Sequence, residues 1–243
     1  MKADPAVQRR LLDLAAADAE LARLVHRRRT LPEHAELAEA EAAVRAGKDA
    51  VVDVETRAGD LDRDIRRLER DIEAVRARTE RDRTLMATAG AKQAVDLQHE
   101  LDTLARRQQV LEDEQLEVME QREAVGADLA HAGMVLAGAE QRVAEVGAHR
   151  DGALLDIDAA ETGRRRAREE AVAGVPAEVL AAYEKRRARG GAGAALLRER
   201  RCGACRLELD RSALAELRAA PADELADCPE CGAILVRTSE SGL

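Results

Sequence analysis

The residues best suited to chemistry are four cysteines in two pairs, Cys202-Gly-Ala-Cys205 and Cys228-Pro-Glu-Cys231-Gly232. The pattern is C-x2-C, 22 residues, C-x2-C. A tetrahedral zinc ion takes four ligands with Zn–S bonds of about 2.3 Å, and each C-x2-C turn offers two sulfurs on one side of a tight loop. Gly203 and Gly232 are expected to permit the sharp turns and Pro229 to stiffen the second. Two disulfides would fit an oxidising compartment, not the cytosol. A redox C-x-x-C pair needs no matching second pair. An iron–sulfur cluster also accepts four thiolates, but paired C-x2-C turns with glycine are the pattern of a zinc ribbon. Four thiolates close the coordination sphere, so one structural zinc ion is expected, with no open position for a catalytic water.

The second set of candidates is basic. Lys185, Arg186, Arg187, Arg189, Arg198, Arg200, Arg201 and Arg206 crowd around the first cysteine pair. Such a group could contact phosphates. It could equally be a solvated face partly paired with Glu184 and Glu199. Further clusters lie at Arg27–Arg29 and Arg164–Arg166. Single-strand binding usually adds aromatic platforms for base stacking, and the chain has one tyrosine, Tyr183, with no Trp or Phe. Tyr183 is expected to pack where a linker helix meets the ribbon. His26, His34, His99, His131 and His149 are scattered without a shared site, and there is no phosphate loop or nucleophile elbow, so no enzyme activity is expected.

The elements that must position these residues follow from composition and period. Of 243 residues 46% are hydrophobic, alanine supplying the largest part, and 36% are charged. A compact core of this size normally holds many aromatics. Ala, Leu, Glu, Arg and Asp in helical period instead describe long helices or a coiled coil. Alternate steps of three and four from Leu37 to Met86 give fifteen positions, twelve of them apolar. Leu14, Leu21, Leu24 and Leu31 form a stripe upstream, with a kink or short interruption expected near Leu31–Glu33 because of Pro32. A second seam runs from Leu97 to Ala160, with Gln108, Gln115, Arg122 and Arg150 as polar interruptions. Gly90 is the expected left-handed residue at the turn between the seams. The short connection favours an antiparallel hairpin.

The organisation expected is mainly α: a long antiparallel coiled-coil hairpin over residues 1–173 with its tip near 87–92, a linker helix and Gly-rich link over 174–193, and a small C-terminal C4 zinc ribbon over 194–243. The linker helix is placed at Pro176–Arg189, with Pro176 in its first turn. Within the ribbon, Ala194–Arg200 and Arg206–Leu209 should form a hairpin. A short helix should run over Ser212–Arg218, capped by Asp210 or Ser212 and ended by Pro221. Leu207, Leu209, Leu214, Leu217, Leu225, Ile234 and Val236 form a core too small to fold alone, to which zinc would add about 10–16 kcal/mol.

The sequence Pro-Ala-Glu-Val-Leu-Ala-Ala-Tyr-Glu from Pro176, the Gly-rich link, Arg-Cys-Gly-Ala-Cys-Arg-Leu-Glu-Leu and Cys-Pro-Glu-Cys-Gly-Ala-Ile-Leu-Val resemble one bacterial family. This is the family of coiled-coil hairpin plus C4-type zinc-ribbon proteins that includes the CdsZ and FlgZ regulators. The segment from Leu97 to Leu104 also resembles its second helix. The resemblance implies zinc ligands at Cys202, Cys205, Cys228 and Cys231, and a binding or adaptor role through protein partners, with nucleic-acid binding suspected for the ribbon. Leu235-Val-Arg-Thr lacks the aromatic that often follows the last strand in that family, and Thr88–Lys92 differs from its Asn-Pro-Lys-like turn.

The expected role is therefore a non-enzymatic, zinc-binding adaptor that engages protein partners through rod and ribbon. Nucleic-acid binding through the basic surface is the alternative, and a homo-oligomer is compatible with either. No run of about 18 apolar residues exists for a membrane span, and Met1–Arg10 has no signal-peptide core. The expected location is the cytoplasm.

Overall fold

The computed structural model describes residues 1–243. Five helices carry most of the chain: α1 (Pro5–Arg29), α2 (Pro32–Met86), α3 (Ala91–Ala173), α4 (Ala177–Arg187) and α5 (Arg211–Ala219). Four short strands, β1 (Ala194–Arg198), β2 (Arg201–Cys202), β3 (Ala226–Asp227) and β4 (Ile234–Val236), form one sheet of order β2-β1-β4-β3. The chain divides into two compact units, Glu33–Ala148 and Met1–Pro32 with His149–Leu243.

The Glu33–Ala148 unit is an antiparallel pair formed by α2 and the adjoining part of α3. Its cross-helix ion pairs fall in α3 as they rise in α2: Glu36–Arg142, Asp62–Arg122, Arg76–Glu112 and Arg78–Glu100. All fifteen positions of the first seam are buried or half-buried, Thr79 and Asp82 included. The seam of α3 keeps the same register from Leu97 to Ile157, and Leu68, Ile72 and Leu111 form a buried cluster with Val75 and Val118 against it. Ala160, expected in the seam, is exposed, and Glu161 takes the inward place. A strict 3.5-residue repeat outruns a straight helix by about 20° per heptad, so a long pattern must eventually slip by one position.

The turn between α2 and α3 differs from expectation at Gly90. This residue is not left-handed; its carbonyl accepts from Ala94 N at 2.9 Å, which makes it the cap of α3. The end of α2 is closed instead by turn bonds from Ala87, Thr88 and Ala89 to the carbonyls of Arg83, Leu85 and Met86.

In the other unit, α1 lies antiparallel to the last part of α3 through ion pairs of Arg28 with Asp158 and of Asp18 with Arg168. The chain breaks at Thr30–Leu31, and Pro32 starts α2, where its missing N–H costs no helical bond. Asp4 caps α1 by accepting from Ala6 N at 2.7 Å. At α4 the expected Pro176–Arg189 helix is shorter, with Pro176 as the N-cap and not the first helical residue.

Candidate metal centre

The sheet brings the cysteines together. β1 and β2 pair antiparallel across the two-residue turn Glu199-Arg200, both residues at positive φ (47° and 65°), the conformation of a type I′ hairpin. β2 then enters the first cysteine turn. The arm Arg206–Leu209 was expected to pair with Ala194–Arg200; it lies against β2, through an Arg201↔Glu208 bridge and a Leu209 N–Arg200 O bond of 2.9 Å. β3 and β4 flank the second turn as an antiparallel pair. β1 beside β4, in parallel, joins the halves.

The two turns have the same backbone wiring. Cys202 N donates to Leu207 O at 3.0 Å, and Cys228 N to Ala233 O at 2.8 Å. Arg206 N returns to Cys202 O at 2.8 Å, and Gly232 N to Cys228 O at 2.9 Å. Each turn needs one left-handed residue after its second cysteine: Gly232 (φ 73°) in one and Arg206 (φ 63°) in the other. Gly203 was expected to serve conformation; it serves space, since a Cβ there would lie 2.9 Å from Leu196 O.

The four sulfurs all lie within 4.8 Å of one another, with Cys202–Cys231 at 3.8 Å and Cys205–Cys228 at 3.9 Å. A tetrahedron with Zn–S bonds of about 2.3 Å has edges of about 3.8 Å. The donor set therefore fits one zinc ion, and all four cysteines are unbridged. In the protein without metal, burial pushes the Cys202 thiol up to about 12, against the N–H groups of Cys205 and Ala204 that favour its thiolate. The Leu207 N–H lowers Cys205, and burial raises Cys231. A bound zinc ion holds such thiols deprotonated.

Residues 14–191 match the model of the CT398-like coiled coil hairpin domain, nearly three quarters of the chain. The chain belongs to the CT398-like coiled-coil hairpin family. Residues 201–235 match the C4-type zinc ribbon domain and take in all four cysteines. An uncharacterized protein of Mycobacterium tuberculosis is 44% identical over 239 residues, 98% of each chain. One of Mycobacterium leprae is 33% identical over 230 residues, 91% of this chain and 96% of its own. A solved Mycobacterium smegmatis structure is 42% identical with a TM-score of 0.89, covering 98% of this chain and 100% of its own. CT398 of Chlamydia trachomatis shares the fold at 17% identity, with a TM-score of 0.68 over 96% of this chain and 99% of its own. Zinc-ribbon chemistry and a hairpin fold are thus properties of this family member, and no helix is long and apolar enough to cross a membrane.

The metal turns rest on a core larger than the one expected. Leu209, Leu217, Ile234 and Val236 are buried, and Leu214 and Leu225 half-buried, but Leu207 is 51% exposed. Ala195, Leu197 and Leu235 join the sulfurs on one side of the sheet. On another, Ile234 and Ala194 pack with Leu11 and Leu14 of α1 and Val179 and Tyr183 of α4. The ribbon therefore shares its apolar core with the helices, and zinc is not its sole support. The N-terminal segment adds to this: Lys2 pairs with Glu224 through an isolated antiparallel backbone bridge, Ala3 N donates to Asp223 O at 2.7 Å, and Leu225 N donates to Met1 O at 3.0 Å. Arg237 closes the loop after α5, its guanidinium donating to the carbonyls of Leu217, Ala220, Pro221 and Glu224.

Tyr183 is fully buried, and its hydroxyl donates to Asp18 Oδ2 at 2.8 Å. Asp18 also pairs with Arg168 (2.8 Å) and Arg187 (3.1 Å). Asp18 sits on α1 among Ala17, Leu14 and Leu21, a polar residue on the apolar stripe. That misfit was the available sign of a buried partner.

The basic group does not present eight unpaired cations. Arg186 forms a two-pronged pair with Asp227 (2.9 and 2.7 Å), Arg187 binds Asp18 and Glu184, Arg198 binds Glu240 (3.3 Å), and Arg201 binds Glu208 (3.4 Å). Arg200 donates to Gly242 O. Lys185, Arg189 and Arg206 have no ion pair. The expected partner Glu199 holds none of these cations. Even so, the charge divides unevenly: the unit with the ribbon carries 23 basic and 21 acidic residues, and the Glu33–Ala148 unit 16 and 27.

Proposed function

We propose that the protein is a non-enzymatic, zinc-stabilised adaptor that engages protein partners through its hairpin and its ribbon, working in the cytoplasm where unbridged thiols persist. The observation that carries this reading is the closed C4 donor set: four sulfurs occupy every position of a tetrahedral ion, leaving none for substrate or water. The ribbon's packing against α1 and α4 supports a fixed mount for a surface, and the exposed flanks of α2 and α3 supply an extended one.

The nucleic-acid reading draws on the positive balance of the ribbon unit, but four of the seven arginines around the first cysteine pair already hold carboxylates. The deciding experiment is affinity purification of the zinc-loaded chain with and without nuclease, alongside salt-dependent retention on RNA and DNA. Partners that persist after nuclease are expected. Partners lost with nuclease, together with retention abolished by charge reversal at Lys185, Arg189 and Arg206, would replace the adaptor reading with a phosphate-binding one.

A further inference from the structure

A second apolar stripe runs along α3 on a face that the chain leaves uncovered. Steps of three and four from Leu116 give Leu116, Met119, Glu123, Ala127, Ala130, Met134, Ala137, Gln141, Ala144 and Ala148. All ten are exposed, and only Glu123 and Gln141 are polar. Leu116, Met119 and Met134 expose 59%, 49% and 68% of their surface. The spacing keeps step with a 3.6-residue helix, so the stripe stays on one face, roughly 150° around from the seam that packs on α2. A helix with one neighbour needs one apolar stripe and carries charge opposite it. α3 has two.

The stripe is close to a palindrome about Ala132. Glu123 and Gln141 stand at equal distances on either side, as do Ala130 and Met134, Ala127 and Ala137, and Leu116 and Ala148. A two-fold interface must be complementary to itself in this manner, since each residue meets the mate of its own mirror position. We infer that this face binds a second copy of the chain, α3 against α3 in antiparallel sense, with the two-fold axis crossing the stripe at the height of Ala132. In that register Met134 meets Ala130 of the partner subunit and Leu116 meets Ala148 of the partner subunit, large side chains against small ones, while Met119 falls between Ala144 of the partner subunit and Glu145 of the partner subunit. The two polar members meet each other: the Gln141 amide can donate to the carboxylate of Glu123 of the partner subunit, twice per dimer. Other registers set Glu123 against an apolar residue or against its own like-charged copy, which favours this one.

The stripe is about 50 Å long at 1.5 Å per residue. A strip about 10 Å wide removes roughly 500 Å² per copy, or about 1,000 Å² in all, the lower edge of specific interfaces. The dimer is accordingly a reversible one, with a dissociation constant of micromolar order. The pairing holds whether or not the adaptor reading does, because it rests on α3 alone.

The test is sedimentation equilibrium of the full zinc-loaded chain over a wide concentration range. A monomer–dimer equilibrium is expected. Met134→Glu should weaken it about tenfold or more by placing two carboxylates beside the axis, with helicity and zinc content unchanged because the side chain is exposed. Gln141→Glu should weaken it about tenfold by setting carboxylate against carboxylate, and adding Glu123→Lys should restore it. A wild-type chain that stays monomeric throughout, a dimer indifferent to Met134→Glu, or failure of the double variant to recover would each overturn the inference. Folding of the variants is read independently from circular dichroism and metal content.

Discussion

The Tyr183 hydroxyl lies 2.8 Å from Asp18 Oδ2, joining α4 to α1 across 165 residues of sequence. Arg168 Nε holds the other oxygen of Asp18 at 2.8 Å and so ties in α3, while its second arm reaches Glu184. The same tyrosine ring packs beside Ile234 and Ala194 of the ribbon. One aromatic side chain thus stands where three helices and the sheet that carries the cysteines meet, and its substitution tests how firmly the ribbon is mounted.

Tyr183→Phe keeps the ring and removes the hydroxyl. A hydrogen bond to a charged group contributes about 1.5–3 kcal/mol, so urea denaturation should show a loss of that order. Asp18→Ala should cost more, about 3–5 kcal/mol, because it takes one buried carboxylate from Arg168, Arg187 and the tyrosine hydroxyl at once. An Asp18→Ala chain no less stable than Tyr183→Phe would mean the arginines pair elsewhere.

Burial, and next the bond to the Asp18 carboxylate, raise the Tyr183 phenol above its ordinary value. The unfolded phenol ionises near pH 10. Folding therefore keeps a proton that the unfolded chain releases, and stability falls as pH rises. This contribution is fully present below about pH 10 and lost above it. With a single tyrosine and no tryptophan, phenolate absorbance reports this site alone. It should appear only together with unfolding, and Tyr183→Phe should flatten the alkaline limb of the stability curve.

Chelation of zinc under reducing conditions should remove the ribbon's fold and leave much of the helical signal. The Glu33–Ala148 unit has its own buried seam and contains none of the cysteines. Structural zinc contributes about 10–16 kcal/mol in comparable sites, and protons compete for the thiolates, so the metal should also leave as pH falls. Circular dichroism with parallel metal analysis reads both. Complete loss of helix on chelation would show that the hairpin depends on the ribbon.

Gly193 and Gly191 should respond differently to alanine. A Cβ on Gly193 would sit 2.4 Å from the Tyr183 ring, whereas nothing lies within 4 Å of one on Gly191. Overpacking of a well-filled site costs about 1–3 kcal/mol, so Gly193→Ala should lower the melting temperature. Gly191→Ala should leave it nearly unchanged. Equal effects would count against this packing.

Much of this protein was legible from residue order alone because its determinants are local or periodic. A seam of fifteen positions announces which face of α2 turns inward, and every member is buried or half-buried, whatever its own polarity. Asp210 before Ser212 announces a cap, and its carboxylate accepts from Ala213 N at 2.7 Å. Two C-x2-C turns announce the zinc chemistry because the four thiolates carry it themselves, once the fold has closed 22 residues between them. Other features have no local signature. Asp18 and Tyr183 become partners only when α1 and α4 share one core, and Asp227, Glu240 and Glu208 neutralise arginines far from them or across a turn. Arg206 adopts a left-handed backbone because the first metal turn imposes it, not because arginine favours it. Composition and period therefore determined that the chain is a helical hairpin bearing a four-thiolate ribbon. Tertiary structure decided which charges are spent on one another, which apolar stripe of α3 stays uncovered, and how the ribbon is held, since these depend on which surfaces meet and pairing of distant surfaces leaves no period in the sequence.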